Sequence, residues 1–197
     1  MKKRIVALLI AIAVLFTFAA CGKPKRPSAE SVVVNTFEAL KALDKEKIKE
    51  ALGTEGPAED FEELDETTQT MLKLSMKNFT YKIISSEEQE ETATVKAEIT
   101  NTDMVKLLTD ATSQLVVKIL NYMGEHDNQQ PSDEETYVML QEIFDDYMTR
   151  DDLETVTKTE DIALSLTDGK WKPQITADQL DTILGGLYTF QKNQSQQ

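Results

Sequence analysis

The chain has 197 residues, 40% of them hydrophobic, with 21 basic and 35 acidic side chains and a formal net charge of −14 at pH 7. This composition predicts a folded domain with a packed core and excludes an intrinsically disordered chain. The single cysteine excludes an internal disulfide, and the negative charge argues against binding to nucleic acid or to anionic lipid headgroups.

The first 21 residues have the parts of a secretory signal. Residues 1–4 are cationic, residues 5–20 are almost entirely apolar or small, and Cys21 follows the small pair Ala19-Ala20. The apolar run is shorter than the ~18–20 residues that a membrane-spanning helix needs. The order aliphatic, small, small, Cys resembles the lipobox of bacterial lipoproteins, here with Phe18 where leucine is usual.

This resemblance implies a signal peptide over residues 1–20 and diacylation of Cys21, with palmitate-type chains, as the first residue of the mature protein. Two acyl chains hold a protein to a membrane far better than one. The expected location is the cell membrane, lipid-anchored, on its extracytoplasmic face. The alternative interpretation is a plain signal peptide or membrane anchor in which Cys21 is incidental.

The rest of the chain divides by composition. Residues 21–27 are basic and contain proline, which predicts a short tether. Residues 28–190 are expected to form a single domain, and residues 191–197 a flexible polar tail. From residue 28 onward there are 15 basic and 35 acidic residues, a net charge of −20.

Helical spacing dominates the start of the domain. Ser28 is placed to cap a first helix that ends near Leu43-Asp44. A short second helix is predicted over residues 45–52, and a third over residues 61–77.

Period-two patterns then predict four strands in two hairpins. Residues 79–83 and 93–99 alternate apolar with polar side chains and are joined by an acidic turn, 86–91. Residues 155–166 form the third predicted strand, and Asp168-Gly169 is a strong turn signal before the fourth strand, which carries Trp171.

Between the two hairpins lies a long helical stretch, residues 103–150. Asp103 is placed to cap a helix, residues 124–131 form a polar loop, and Ser132 with Glu135 forms a capping box for a second helix. A further capping box, Thr176 with Gln179, opens one last helix that is predicted to continue through Tyr188.

The order of elements predicts an α+β fold with an antiparallel sheet of about four strands packed against helices. The stretches "YKIISSEEQEETATVKAEIT" and "ALSLTDGKWKPQ", after a helical start, resemble small lipoproteins of unknown function with a nuclear-transport-factor-2-like domain. That resemblance implies a cone-shaped fold in which residues 103–150 are a helical insertion.

Candidate chemical sites are few. His126 is the only histidine, and without a second nitrogen or sulfur ligand it is interpreted as a surface residue of its loop. Carboxylates suit calcium, and the metal candidates are Asp145, Asp146, Asp151 and Asp152, although none of the acidic clusters has the spacing of an EF-hand loop. No catalytic or cofactor-binding residue is assigned, and no cofactor is expected.

Four tyrosines are candidates to line a cavity inside the cone: Tyr81, Tyr137, Tyr147 and Tyr188. The preferred hypothesis is nevertheless a non-enzymatic ligand-binding or protein-interaction module on a membrane tether. A protein partner predicts an exposed apolar patch on the helices of residues 103–148. The alternatives are a small hydrolase or isomerase that uses the cone cavity, and a solute-binding lipoprotein associated with a transporter.

Overall fold

A computed structural model describes residues 26–44, 46–48 and 66–194. The elements in chain order are α1 (Ala29–Lys41), α2 (Glu66–Lys77), β1 (Thr80–Glu88), β2 (Thr92–Thr102), α3 (Met104–Glu125), α4 (Asp133–Thr149), β3 (Thr155–Thr167), β4 (Lys170–Gln174), α5 (Ala177–Ile183) and α6 (Leu187–Gln194). Residues 46–48 are helical. The predicted signal peptide, Cys21, the remainder of the helix at 45–52 and residues 61–65 of the third helix lie outside the described residues.

The four strands form one antiparallel sheet in the order β1-β2-β3-β4, which confirms the predicted α+β class. Alternate side chains of β2 and β3, among them Val95, Ile99 and Ile162, are buried on one face of the sheet. Their neighbours in sequence point to the opposite, exposed face, as a period of two requires. The predicted turn is present between β3 and β4, where Asp168 and Gly169 both have positive φ (51° and 74°), the conformation of a tight hairpin.

Side-chain capping explains where the helices begin. Ser28 accepts a hydrogen bond from the Ser31 backbone N–H at 3.2 Å, and Asp103 accepts one from Lys106 at 3.0 Å. Both predicted capping boxes are formed, the first beginning at Ser132 and the second at Thr176. All four starts were therefore predictable from the sequence.

The inner face of the sheet is covered by α1. Phe37 of α1 packs edge-on against Phe79, with 5.9 Å between ring centroids, and both are at most 1% exposed. Val33, Ile99 and Ile162 belong to the same cluster. Side chains therefore fill the space between α1 and the sheet.

The long helices α3 and α4, here called the helical hairpin, pack mainly on each other, on α2 and on α6 rather than on the sheet. The packed portion forms a second hydrophobic core, whose buried members include Leu74, Leu108, Phe144 and Leu187. The insertion predicted at 103–150 thus has its own core, shared with two helices that flank the sheet.

The last helix departs from the prediction. A break at Gly185-Gly186 (φ 67° and 87°) divides it into α5 and α6. A Cβ at residue 185 would lie 2.1 Å from the Thr102 carbonyl oxygen, so the chain passes too close to β2 for any side chain. After the break, α6 runs through Gln194, into the stretch predicted as a flexible tail.

Residues 26–27, the described part of the predicted tether, and the helical hairpin lie at opposite ends of the sheet. At the end that holds the β1–β2 and β3–β4 turns, the Ala29 N–H donates to Glu88 Oε1 at 2.6 Å and the Arg26 guanidinium lies 4.6 Å from the Trp171 ring centroid. The hairpin leaves the other end, after Thr102, and returns there at Thr155.

Candidate functional site

Exposed apolar side chains are concentrated on the helical hairpin. Of eight exposed large hydrophobic residues in the described part of the chain, six lie on α3 or α4 and are 37–60% exposed: Val116, Val117, Leu120, Tyr137, Val138 and Met148. Single exposed apolar residues need no explanation, whereas a concentration of them is what an apolar interaction patch would require. Exposed apolar side chains are therefore present on the helices of residues 103–148, where a patch was predicted.

The outer half of α3 explains why these residues are exposed. Its first turns bury Leu107, Leu108 and Ala111 against α2 and α4, whereas Val116 and Leu120, four residues apart, share the opposite face. Nothing in the described chain covers that face, because both residues are more than half exposed.

A groove of about 510 Å³ runs between the outer parts of α3 and α4. Val138 and Met139 form its apolar part. The polar lining consists of Lys118, Asn121, Tyr122, Glu125, Glu134, Glu135 and Glu142. Val117 lies one helical turn before Asn121, so an exposed valine of α3 adjoins the groove that Val138 of α4 lines. We call this site the hairpin groove.

Four glutamates and one lysine give the hairpin groove a negative rim. Lys118 is paired with Glu142 at 2.7 Å. Hydrogen bonds from the Tyr122 hydroxyl and then from Ser132 lower the pKa of Glu135 to about 2, which keeps it ionised. Within the described residues, Glu125 and Glu134 have no ion pair, so their charges are free to meet a cation.

His126 follows α3 directly, as its C-cap. Its ring stacks on Tyr122 with 3.9 Å between centroids, and its Nδ1 lies 2.8 Å from the Tyr122 carbonyl oxygen. The residue is exposed, as expected for a histidine of the surface loop.

The four candidate metal ligands do not converge. Two of them are paired with Arg150 instead. Its Nε donates to Asp152 Oδ1 at 3.1 Å, and its Nη1 lies 4.0 Å from the Asp146 carboxylate. Asp145 and Asp151 are exposed. Across residues 26–44, 46–48 and 66–194, no group of three or more His, Cys, Asp or Glu side chains is arranged to hold a metal ion.

The four candidate tyrosines are also dispersed. Tyr81 lies on β1 and donates to Glu38 Oε1 at 2.7 Å; burial, and then this hydrogen bond, raise its pKa to about 12. Tyr147 is buried in the second core, whereas Tyr137 and Tyr188 are exposed on separate helices. The structure therefore does not bring these hydroxyls to a shared cavity.

A polar cleft of about 420 Å³ lies at the base of the hairpin, between the start of α3 and residues 150–154. Gln114 donates to the Tyr147 hydroxyl oxygen at 2.8 Å there, and burial raises the pKa of Tyr147. Thr102 forms part of the wall, and its buried Oγ1 has no hydrogen-bond partner. Since Lys106 and Arg150 are already paired with acidic neighbours, we assign no ligand to this cleft.

Sequence reasoning missed Val116, Val117, Leu120 and Val138. The stretch LVVKIL in α3 is apolar around most of the helix, so periodicity alone does not distinguish its exposed side from its buried side. This run, which only Lys118 interrupts, was itself the signal, because a helix that is apolar around most of its circumference needs more than one packing partner.

No family model, curated protein or solved structure matches this chain. In the part of the chain that the structure describes, no helix combines the length and the apolar character needed to cross a bilayer.

Proposed function

We propose that the protein is a lipoprotein, anchored through Cys21 to the extracytoplasmic face of the cell membrane, whose helical hairpin is a docking surface for a protein partner. The observation that carries this proposal is the concentration of exposed apolar side chains on the hairpin. The hairpin leaves the sheet at the end opposite the start of α1, which supports presentation away from the bilayer.

The charge of the hairpin groove selects the kind of partner. Val117 and Val138 flank it, and Glu125 and Glu134 offer unpaired carboxylates. A helix with one apolar face and flanking lysines or arginines matches both features, because apolar anchors fill the groove while the cations meet the rim. The proposed occupant is therefore a cationic amphipathic helix of another protein.

A second copy of this chain is a poorer match. Residues 28–197 carry a net charge of −20, and pairing two hairpins would bring two acidic rims together. Like charges at an interface oppose association.

The hairpin proposal can be tested with a synthetic amphipathic helix. We expect a fluorescein-labelled Leu/Lys peptide of about 14 residues to bind the full chain in detergent micelles and to bind more weakly as salt is raised. The double variant Val117→Ser/Val138→Ser is expected to weaken binding about tenfold, through loss of apolar contact. Because both valines are at least half exposed, the fold is expected to survive.

The matched control is Ile84→Ser, since Ile84 is equally exposed but lies on β1; it should leave binding unchanged. A Leu/Glu peptide of the same length should not bind. Equal binding of the two peptides, or an equal loss in the Ile84 variant, would contradict the proposed surface.

The anchor is tested separately. Wild-type protein is expected to incorporate labelled palmitate and to stay in the membrane fraction, and Cys21→Ala is expected to lose the label and become soluble. If the alanine variant keeps both the label and its membrane location, the anchor assignment fails, whatever the peptide experiment gives.

For the fold, we propose that the domain is a variant of the nuclear-transport-factor-2-like cone, with the helical hairpin as its insertion. What supports this is the placement of α1 against one face of an antiparallel sheet, with the other face exposed. An experimental structure in which the sheet wraps around α1 would support the assignment, and a flat sheet would contradict it.

A further inference from the structure

The third strand has an edge that no other strand of the described residues covers. β3 spans 13 residues, whereas β4 has five and pairs with residues 163–167 of β3 alone. On the side of β4, residues 155–161 of β3 are therefore the outer edge of the sheet.

The direction of the backbone groups along this edge follows from neighbouring hydrogen bonds. The Leu166 N–H donates to the Glu91 carbonyl and the Asp103 N–H to the Glu154 carbonyl, so even-numbered residues of β3 face β2. Odd-numbered residues face the opposite way, and the Asp161 carbonyl accordingly accepts from Gln179 Nε2 at 2.9 Å.

The N–H and C=O groups of Thr155, Thr157 and Thr159 thus point outward. Among residues 26–44, 46–48 and 66–194, no backbone or side-chain group bonds to them on that side. All three residues are exposed. Such a row of donors and acceptors is a template for pairing with another strand.

The other two edges carry features that oppose strand addition. On β4, Pro173 pairs with Leu164 and lacks the outward N–H that an added strand would need. On β1, the register shifts between Ile83 and Ser85, and a bulge of this kind twists an edge away from flat pairing. The segment 155–161 has no proline, no glycine and no register shift.

A groove of about 320 Å³ adjoins this edge on the helix side of the sheet. Its apolar lining includes Val105 and Val156, and the glycine pair at 185–186 forms part of its wall. A strand laid along β3 would direct alternate side chains into this groove, opposite Val156 and Lys158.

Among the described residues, Lys158 is the charged group lining this groove whose side chain has neither an ion pair nor a hydrogen bond. Lys106 pairs with Glu154 at 2.5 Å. Asp181 accepts from the Tyr188 and Thr189 N–H groups at 2.9 and 3.0 Å and from the Thr189 hydroxyl. Asp103 caps α3. An acidic side chain on the added strand would pair with Lys158.

We propose that residues 155–159 of β3 bind an extended segment of a partner polypeptide by strand addition, with an apolar residue opposite Val156 and an acidic residue opposite Lys158. This site goes beyond the hairpin groove: it recognises an extended chain rather than a helix, and it shares no residue with that groove. A second copy of the chain is the less favoured occupant, because two bodies of charge −20 repel one another.

The probe is a fluorescein-labelled peptide, Lys-Thr-Glu-Thr-Val-Thr-Lys, in which antiparallel pairing sets Glu opposite Lys158 and Val opposite Val156. We expect it to raise the fluorescence anisotropy of the mixture with the full chain in micelles. Backbone amides of Thr155, Thr157 and Thr159 should become protected from hydrogen exchange. The amides of Val156 and Lys158, which already face β2, should not change.

Reversing the charge of residue 158 gives a test that distinguishes lost binding from misfolding, because a misfolded variant would not gain affinity for the peptide of opposite charge. Lys158→Glu is expected to weaken binding of the Glu peptide about threefold to fivefold, as for an exposed ion pair, and to strengthen binding of the same peptide with Lys in place of Glu. Lys172→Glu, an exposed lysine on β4, is the matched control and should change neither affinity.

Three results would overturn the proposal. The first is a wild-type chain that binds neither peptide, and the second is a Lys158→Glu variant that shows no swap in preference. The third is sedimentation of the wild-type chain as a dimer that Thr157→Pro converts to monomer, which would make a second copy the occupant of the edge.

Discussion

The Tyr122 hydroxyl donates a hydrogen bond to Glu135 Oε1 at 2.7 Å and thereby joins the last turns of α3 to the first turn of α4. The same carboxylate closes the capping box through the Ser132 N–H at 2.8 Å. The Glu135 side chain therefore both stabilises the start of α4 and connects the two helices at the outer end of the helical hairpin.

Because of this hydrogen bond, the stability of the hairpin is expected to fall as the pH is lowered through the acidic range. The pKa of Glu135 is lowered from 4.5 to about 2, so its stabilising contribution is present above pH 4.5 and is lost as the pH falls toward 2. We expect Glu135→Gln to flatten the fall in Tm over that interval, measured by circular dichroism. Glu134→Gln, one residue away, should keep the wild-type slope; identical slopes for both variants would contradict the assignment.

Gly185 is expected to tolerate no side chain. Gly185→Ala places a Cβ 2.1 Å from the Thr102 carbonyl oxygen at a φ of 67°, and we expect the free energy of unfolding to fall by about 2–4 kcal/mol in denaturant titration. The comparison is Gly124→Ala in α3, where nothing lies within 4 Å of the new Cβ. That variant should be unchanged or up to ~1 kcal/mol more stable. Equal denaturation midpoints for the two variants would contradict the close approach of Gly185 to Thr102.

Lys77 stabilises the end of α4. Its ammonium group donates to the Met148 carbonyl at 2.6 Å and also to the carbonyl of Arg150, which are acceptors that a helix end leaves without partners. We expect Lys77→Met, which keeps the apolar stem, to cost about 1–2 kcal/mol in urea unfolding. Lys73→Met alters an exposed lysine of the same helix and should have no measurable effect. A similar loss in both variants would point to helix propensity instead.

Trp171 reports on the attachment of the tether. It is the only tryptophan, is 5% exposed, and its ring is covered by Arg26. We expect a blue-shifted emission that acrylamide quenches poorly, and Arg26→Ala should increase quenching while changing stability by less than about 1 kcal/mol. Lys172→Ala, at the neighbouring exposed position, should leave quenching unaltered. Emission from the native protein at the wavelength of the unfolded chain would contradict the burial of the ring.

The sequence was informative wherever a local rule determines local structure. Ser28, Asp103, Ser132 and Thr176 each began a helix as predicted, because a capping side chain needs only its own first turn. The alternation of residues 93–99 likewise fixed a buried and an exposed face of β2.

Features that depend on distant residues were not predictable in the same way. The apolar spacing from Leu180 to Tyr188 predicts one helix. Gly185, the first of the two glycines that divide it, is required by the carbonyl of Thr102, more than eighty residues earlier in the chain. The exposure of Val117 depends on where α2 and α4 end, and the free edge of β3 depends on where β4 stops. None of these follows from a window of neighbouring residues.

The contact between Arg26 and Trp171 also limits how far the body can move from a lipid anchor. If Cys21 is acylated, four residues lie between it and Arg26, and the five steps along the chain allow at most roughly 18 Å of extended chain. An acidic body held that close lies within about two Debye lengths of the headgroups at physiological salt. Lowering the ionic strength lengthens the screening distance, so repulsion between the acidic body and an anionic bilayer would grow as salt is removed.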